Sequence, residues 1–367
     1  MRVIGAVVAI ASILSCNGDP SSPTSPTSSV PPPGAVSPGA AGGVSGIWVA
    51  RDRLSAQPMG SASWGKLEAE ARASCGSPRL GNQDDGTNVC VMAKALVYAR
   101  TGNAAIRGDV IAALRSIVEA GAYRGRALAL GRELGAYVIA ADLVALGEAD
   151  AALDVRFRQT VASLLTAPTS DGPANLIECH ERRPNNWGTH CGASRAAVAA
   201  YLGDRGQLAR VAQVFRGWLG ERASYAGFEY GDDLSWQCDA AAPVGINPRG
   251  CIRDGRSIDG VLADDQRRGG AFRWPPPREN YVYEALQGAL AQAIILQRAG
   301  YDPFNWGDRA LLRAFEWLHD QANYPAEGDD TWQPHVINHY YQTRFPAPVP
   351  ARAGKNVGWT DWTHGAY

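Results

Sequence analysis

Beyond residue 60, apolar side chains recur at helical spacing along most of the chain. The pattern predicts helices over 64–74, 89–100, 104–120, 128–146, 151–165, 194–202 and 208–219. After an irregular stretch it predicts three more, over 281–299, 308–323 and 331–341. Gly, Asn and Asp mark the breaks, as in Thr101-Gly102-Asn103, Gly203-Asp204 and Gly300-Tyr301-Asp302-Pro303. Strand-like alternation is scarce. Helices of antiparallel length joined by short turns predict an all-α fold, either a toroid or a helical solenoid. No repeat of fixed period is visible, which favours an (α/α) toroid or incomplete barrel of helical hairpins with long ordered loops.

Residues 221–278 interrupt the pattern. They are rich in Gly, Pro and Asp and carry Tyr225, Phe228, Tyr230, Trp236, Phe272 and Trp274. A long loop inside a helical domain is unusual unless it is functional. Its second half sets Arg249, Arg253, Arg256, Arg267, Arg268, Arg273 and Arg278 against Asp254, Asp259, Asp264 and Asp265. Cations among aromatic rings suit the lining of an anionic-sugar cleft; the alternative is a solvated loop with incidental Arg.

The amino terminus reads as an export signal. Arg2 precedes an apolar run of 12 residues, 3–14, too short to span a bilayer and right for a signal-peptide core. The run ends Ile13-Leu14-Ser15-Cys16, which resembles a bacterial lipobox and makes Cys16 the expected lipidation site. Ordinary secretion is the alternative. Seven prolines among Ser, Thr, Gly and Ala make 17–46 a tether. The expected organisation is therefore a signal peptide at 1–16, a tether at 17–46 and a catalytic domain at 47–367. The expected location is the periplasm or the cell surface.

With Cys16 set aside, six cysteines remain, in pairs separated by 15, 12 and 13 positions. Six allow fifteen connectivities, but the clustering favours Cys75–Cys90, Cys179–Cys191 and Cys238–Cys251, each stapling a loop in an oxidising compartment. A metal site on Cys179, His180, His190 and Cys191 is the rival, and no CxxC or HxxxH spacing supports it. Lys+Arg (35) nearly balance Asp+Glu (36) over 367 residues, which argues against nucleic acid as a partner. Lys66, Lys94 and Lys355 are the only lysines, so the cationic chemistry is almost all guanidinium. No phosphate loop, nucleophile elbow or EF-hand pattern appears. No cofactor is implied, and the protein is expected to be a monomer.

The segment Arg182-Arg183-Pro184-Asn185-Asn186-Trp187-Gly188-Thr189-His190 carries the most chemistry. Paired Asn cap helices well, so they should open the helix through 194–202 and set amides and free backbone N–H groups at its positive end. An Asn-Asn pair at a helix start resembles the catalytic Asn-Asn-His motif of family-five alginate lyases, which fold as (α/α) toroids. Asp84-Asp85-Gly86 with Leu96-Val97-Tyr98-Ala99-Arg100-Thr101-Gly102 resembles an early helix of that superfamily. Glu279-Asn280-Tyr281-Val282-Tyr283-Glu284-Ala285-Leu286 resembles the segment holding the family's catalytic Tyr. Asn338-His339-Tyr340-Tyr341 and the 354–364 stretch, from Gly354-Lys355-Asn356 to Trp362-Thr363-His364, resemble late motifs. The similarity spans most of 60–367.

The resemblance implies β-elimination on a polyuronate such as alginate or glucuronan. The uronate carboxylate is neutralised, a base takes the C5 proton, and an acid protonates the leaving O4. By position, Asn186 would hydrogen-bond the carboxylate and Tyr281 would serve as acid, alone or in both the acid and base roles. Arg273, nearer the family spacing than Arg278, would be the catalytic Arg. Trp187 stands where the family has its His. His190, four positions beyond Asn186, could return an imidazole to the same face, or it caps or packs. Asn185, Arg268, Arg278, Trp236, Trp274 and His339 are the expected substrate-binding residues. Tyr283 reads as structural. Two other classes stay open: a hydrolase using Asp232-Asp233, Asp264-Asp265 or Asp329-Asp330, and a non-catalytic surface glycan binder.

Overall fold

The computed structural model describes residues 46–365. The expected signal peptide with Cys16, and the expected tether up to residue 45, lie outside the described residues. The described chain is mostly helical. It runs through α1 (Arg51–Ala56), α2 (Ala62–Arg72), α3 (Thr87–Thr101), α4 (Ala104–Glu119), α5 (Ala127–Leu143), α6 (Leu146–Ala149), α7 (Ala151–Leu164) and α8 (Leu176–Arg182). It continues with α9 (Asn186–Leu202), α10 (Arg205–Trp218), α11 (Ala263–Gln266), α12 (Asn280–Arg298), α13 (Trp306–Glu316), α14 (Gln333–Tyr341) and α15 (Thr360–Thr363). The strands among the described residues are β1 (Ile252–Arg253) and β2 (Arg256–Ser257), an antiparallel pair with Ile252 opposite Ser257.

Local chemistry sets the boundaries. Asn103 opens α4 by accepting the backbone N–H groups of Ala105 at 3.0 Å and Ile106 at 3.3 Å. Asp204 opens α10 by accepting the N–H of Gln207 at 2.9 Å. Gly203, at φ 72°, closes α9 in the left-handed region that other residues adopt at a cost.

Three helices form the middle of the core. Nearly every residue of α5 is buried, and α9 and α12 are buried over most of their lengths. The α9–α12 and α5–α9 interfaces are the most extensive. Close approach depends on Gly288 of α12, where a Cβ would lie 2.4 Å from the backbone N of His190. Packing proceeds from α2 to α3, α5, α9, α12, α14 and α15, and α15 packs back against α2. α4 lies on α3, α7 on α4 and α9, and α10 on α9.

The structure extends and corrects the periodicity in places. α9 begins at Asn186 rather than near 194, because this helix is buried on every side and carries polar Asn186, Thr189 and His190 in its first turns. Such a helix has no apolar stripe to read. α1, α6, α8, α11 and α15 are too short to show a period. The expected 308–323 helix is broken: Gly307, Asp308 and Arg309 have φ of 57°, 55° and 59°, and the end continues as a π-helical turn at Trp317–Gln321.

Cys75–Cys90, Cys179–Cys191 and Cys238–Cys251 are disulfides, which belong to an oxidising, exported compartment. The rival metal set is thereby removed, since two of its four members are bonded to each other. The 221–278 stretch is ordered around Asn247. This fully buried side chain donates to the carbonyls of Trp236 at 2.8 Å and Ile258 at 3.1 Å, and accepts the N–H of Cys238 at 3.1 Å.

Candidate functional site

Asn185 and Asn186 do begin a helix. Asn185 is the extended N-cap of α9; its Oδ1 accepts the N–H of Trp187 at 3.2 Å and its Nδ2 donates to Asp264 at 3.1 Å. The backbone N–H of Asn186 donates to Asp265 at 3.1 Å. The helix end therefore differs from the expectation of free N–H groups: two of them are already taken by side chains. Asp264 also accepts from Arg267 at 2.8 Å and from the N–H of Gly231 at 3.2 Å. Asp265 is fully buried, and burial, helped by the neighbouring Asp264 charge, pushes its carboxyl well above the usual range.

Arg268 follows this acidic pair and joins the two helix starts. It donates to Asn186 Oδ1 at 3.4 Å, and its guanidinium carbon lies 3.2 Å from the centroid of the Tyr281 ring. Tyr281 sits in the first turn of α12, its N–H capped by Glu279 at 3.1 Å, and keeps 36% exposure. Arg268 is exposed as well. Asn186 has no exposed surface, and its Nδ2 is buried with no hydrogen-bond partner among the described residues. As the side chains stand, Asn186 meets Arg268 rather than solvent.

One turn deeper the same helices bring His190 and Glu284 together. His190 Nε2 is 3.8 Å from Glu284 Oε2, longer than a hydrogen bond. Arg132 of α5 and Lys355 both donate to Glu284. Burial opposes the charge on Glu284, yet the facing His190, Arg132 and Lys355 draw its carboxyl down to about 2. Burial, with the Arg132 charge, lowers His190 to about 4, so the imidazole is neutral near pH 7. His190 does lie one turn beyond Asn186, but it has no exposed atom, which corrects its expected role as a base reaching substrate.

Other expected site residues lie apart from this cluster. Arg273 is exposed beside Gly270 and makes no hydrogen bond, ion pair or ring contact among the described residues, so Arg268 rather than Arg273 meets Tyr281. Arg278 donates to the carbonyl of Asn323 at 2.8 Å. Trp236 is a correction: it is fully buried, packs on Phe272 and Trp317, and donates its indole N–H to Gly270 at 2.9 Å, leaving no face for a sugar. Trp274 is half-buried under Arg256. His339 pairs with Arg53 at 3.2 Å and with the His364 ring. Tyr283 is buried and donates to the carbonyl of Tyr324 at 2.7 Å, as a structural residue should.

Arg132, Lys355 and the charge on Glu284 escaped the sequence reading. Arg132-Glu133 inside the otherwise apolar 127–143 helix was the available signal, because charges there must be buried. Glu284 lies three residues after Tyr281, on a neighbouring face. No family model matches the chain, and no curated protein matches it.

Proposed function

We propose that this protein is a polysaccharide lyase of the alginate-lyase-like kind, an (α/α) toroid held at the cell surface or in the periplasm by a lipid on Cys16. The cyclic order of helix contacts supports the toroid. The observation that carries the reaction is Arg268, an exposed guanidinium spanning Asn186 and the Tyr281 ring. In this reading Arg268 neutralises the uronate carboxylate and so acidifies the C5 proton. Asn186 positions Arg268 through its Oδ1. The Tyr281 phenolate takes the C5 proton, the C5–H electron pair becomes the C4–C5 double bond, and the C4–O4 bond breaks with its electron pair leaving on O4. The phenol then returns a proton to O4. His190 and Glu284 hold α9 and α12 in register behind the reacting groups.

Two of the three aspartate pairs give hydrolysis less support. Asp264 and Asp265 are buried and hold Asn185, Asn186 and Arg267. Asp330 is buried and accepts from Gln287 and Gln333, both at 2.8 Å.

The test is incubation of the full chain, disulfides intact, with mannuronate- and guluronate-rich alginate, glucuronan, hyaluronan and pectate, following ultraviolet absorbance of the new double bond. A rise on one substrate that vanishes in Tyr281→Phe supports the lyase. Saturated products, or a rise that Tyr281→Phe leaves intact, would overturn it.

A further inference from the structure

The described chain begins with a short segment that is pinned at several points. The carbonyl of Gly46 accepts from Arg298 Nε at 3.0 Å, and the N–H of Ile47 donates to Asp142 at 2.9 Å. Arg51 of α1 donates to the carbonyl of Asp142 at 2.9 Å. Trp48 is fully buried, its ring edge-on to His364 with centroids 5.7 Å apart. His364 in turn meets the His339 ring edge-on at 5.4 Å. Residues 46–54 thus form a strap tied to α5, α12, α14 and the residue after α15.

The tie most open to chemistry is Arg53 on His339. Two guanidinium nitrogens of Arg53 lie 3.2 Å from Nε2 and 3.4 Å from Nδ1. A guanidinium only donates, so the imidazole accepts through a ring lone pair. The ring also donates to the carbonyl of His364. A neutral histidine serves both partners, one nitrogen accepting and the other donating. A protonated one has no lone pair left for Arg53 and sets charge beside charge.

Among the described residues, none of the groups that act on these two rings is a carboxylate. Arg53 of α1, Arg298 of α12, and His335 and His339 of α14 all face His364 and oppose its charging. Thr363 Oγ1, 2.8 Å from His364 Nδ1, is uncharged. Tyr340, its ring 4.9 Å from that of His339, stays neutral because burial pushes its phenol up to about 12. The carboxylates of the elements packed here serve other groups. Asp361 of α15 accepts the N–H of Ala351, Asp142 of α5 that of Ile47, and Asp52 of α1 that of Arg53. Burial and the Arg53 charge lower His339 from its ordinary 6.5, so the closed strap binds fewer protons than the open one. Its hold is therefore whole above pH 6.5 and is lost as pH falls below that value. Burial raises Asp142, so acid weakens the Ile47 tie in the same direction.

We infer that residues 46–54 are an acid-released latch: charging of His339 and His364 breaks the Arg53 contact and lifts the strap, with Trp48, off a domain whose long helices stay folded. Combined with a lipid on Cys16, release adds about 30 Å of extended chain between anchor and domain. The latch itself depends on neither the lipid nor the lyase reading.

The experiment is hydrogen exchange of the full chain, disulfides intact, from pH 7.5 to 5, with labelling times scaled for the intrinsic pH dependence of exchange. Peptides covering 46–56 are compared with those of α9 and α12. Below pH 6.5 the opening constant of 46–56 should rise up to about 10-fold per pH unit for each proton taken up, while α9 and α12 keep their protection. His339→Gln retains a neutral acceptor for Arg53 and should remove one proton from that slope. Arg53→Gln retains a donor but not the charge, and should move the fall in protection to lower pH; it serves if the first variant does not fold. Constant protection of 46–56 across the range overturns the latch. So does a loss shared with α9 and α12, or a pH dependence that both variants leave unchanged.

Discussion

The rim and the floor of the candidate site share two helices, α9 and α12, one turn apart, and they obey different physics. At the rim, Arg268 and Tyr281 stay in contact with water, and Arg268 reaches Asn186 through one long hydrogen bond. At the floor, Glu284 is shut away from water and surrounded by Arg132, Lys355 and His190. Exposed charges are screened and replaceable, so the rim is where a ligand can substitute for existing contacts. Buried charges depend on one another, so the floor is where losing one member is costly. A third group, Glu133 and Tyr137 of α5, is as deeply buried as the floor, yet both Glu133 oxygens and the Tyr137 hydroxyl have no hydrogen-bond partner among the described residues.

The largest effect should come from breaking the floor. Glu284→Gln leaves buried Arg132 with only the longer ion pair to Asp84 at 3.8 Å and should cost about 3–5 kcal/mol, read as a large fall in melting temperature. An unchanged melting temperature would mean that the cluster is energetically neutral. At the rim, Tyr281→Phe should lower turnover by at least about 100-fold with little change in stability, because only the phenol oxygen is removed.

Glu133 sharpens the comparison through pH. Burial, with the nearby Asp85 charge, raises its carboxyl from 4.5 to about 10, so the folded chain keeps a proton that the unfolded chain gives up. Its contribution is therefore whole below 4.5 and is lost as pH rises toward 10. Glu133→Gln should raise the melting temperature at pH 8 more than at pH 5, by about 1–3 kcal/mol in stability. Equal shifts at both pH values would contradict that proton. The smallest effect on stability is expected from Arg268→Gln, which should lower kcat about 100-fold and move stability by less than about 0.5 kcal/mol. A marked loss of stability there would place Arg268 with the floor rather than the rim.

Much of this molecule was open to inspection in its residue order, and for local reasons. A helix start needs a cap and two asparagines supply it, so Asn185 and Asn186 were placed correctly from sequence. Cysteines 12 to 15 positions apart meet through short loops, and all three neighbouring pairs form. The alternation of apolar positions located most helices to within a turn. Burial of a single side chain was not open in the same way. Trp236 and Trp274 both lie in the irregular 221–278 stretch, yet one is sealed under Phe272 and Trp317 and the other sits half-buried beneath Arg256.

The sequence by itself determined the helical class, the cysteine pairing and the helix opening at the asparagines. Each depends on neighbours within about four turns of chain, where spacing alone dictates geometry. Only the tertiary structure decided that Arg268 rather than Arg273 meets Tyr281, that His190 faces Glu284 inside the core, and that Arg132 and Lys355 reach the same carboxylate. Those contacts join residues that are far apart in the chain. They depend on how closely α5, α9 and α12 cross, and that spacing is set by the small residues at the crossings, Gly288 above all.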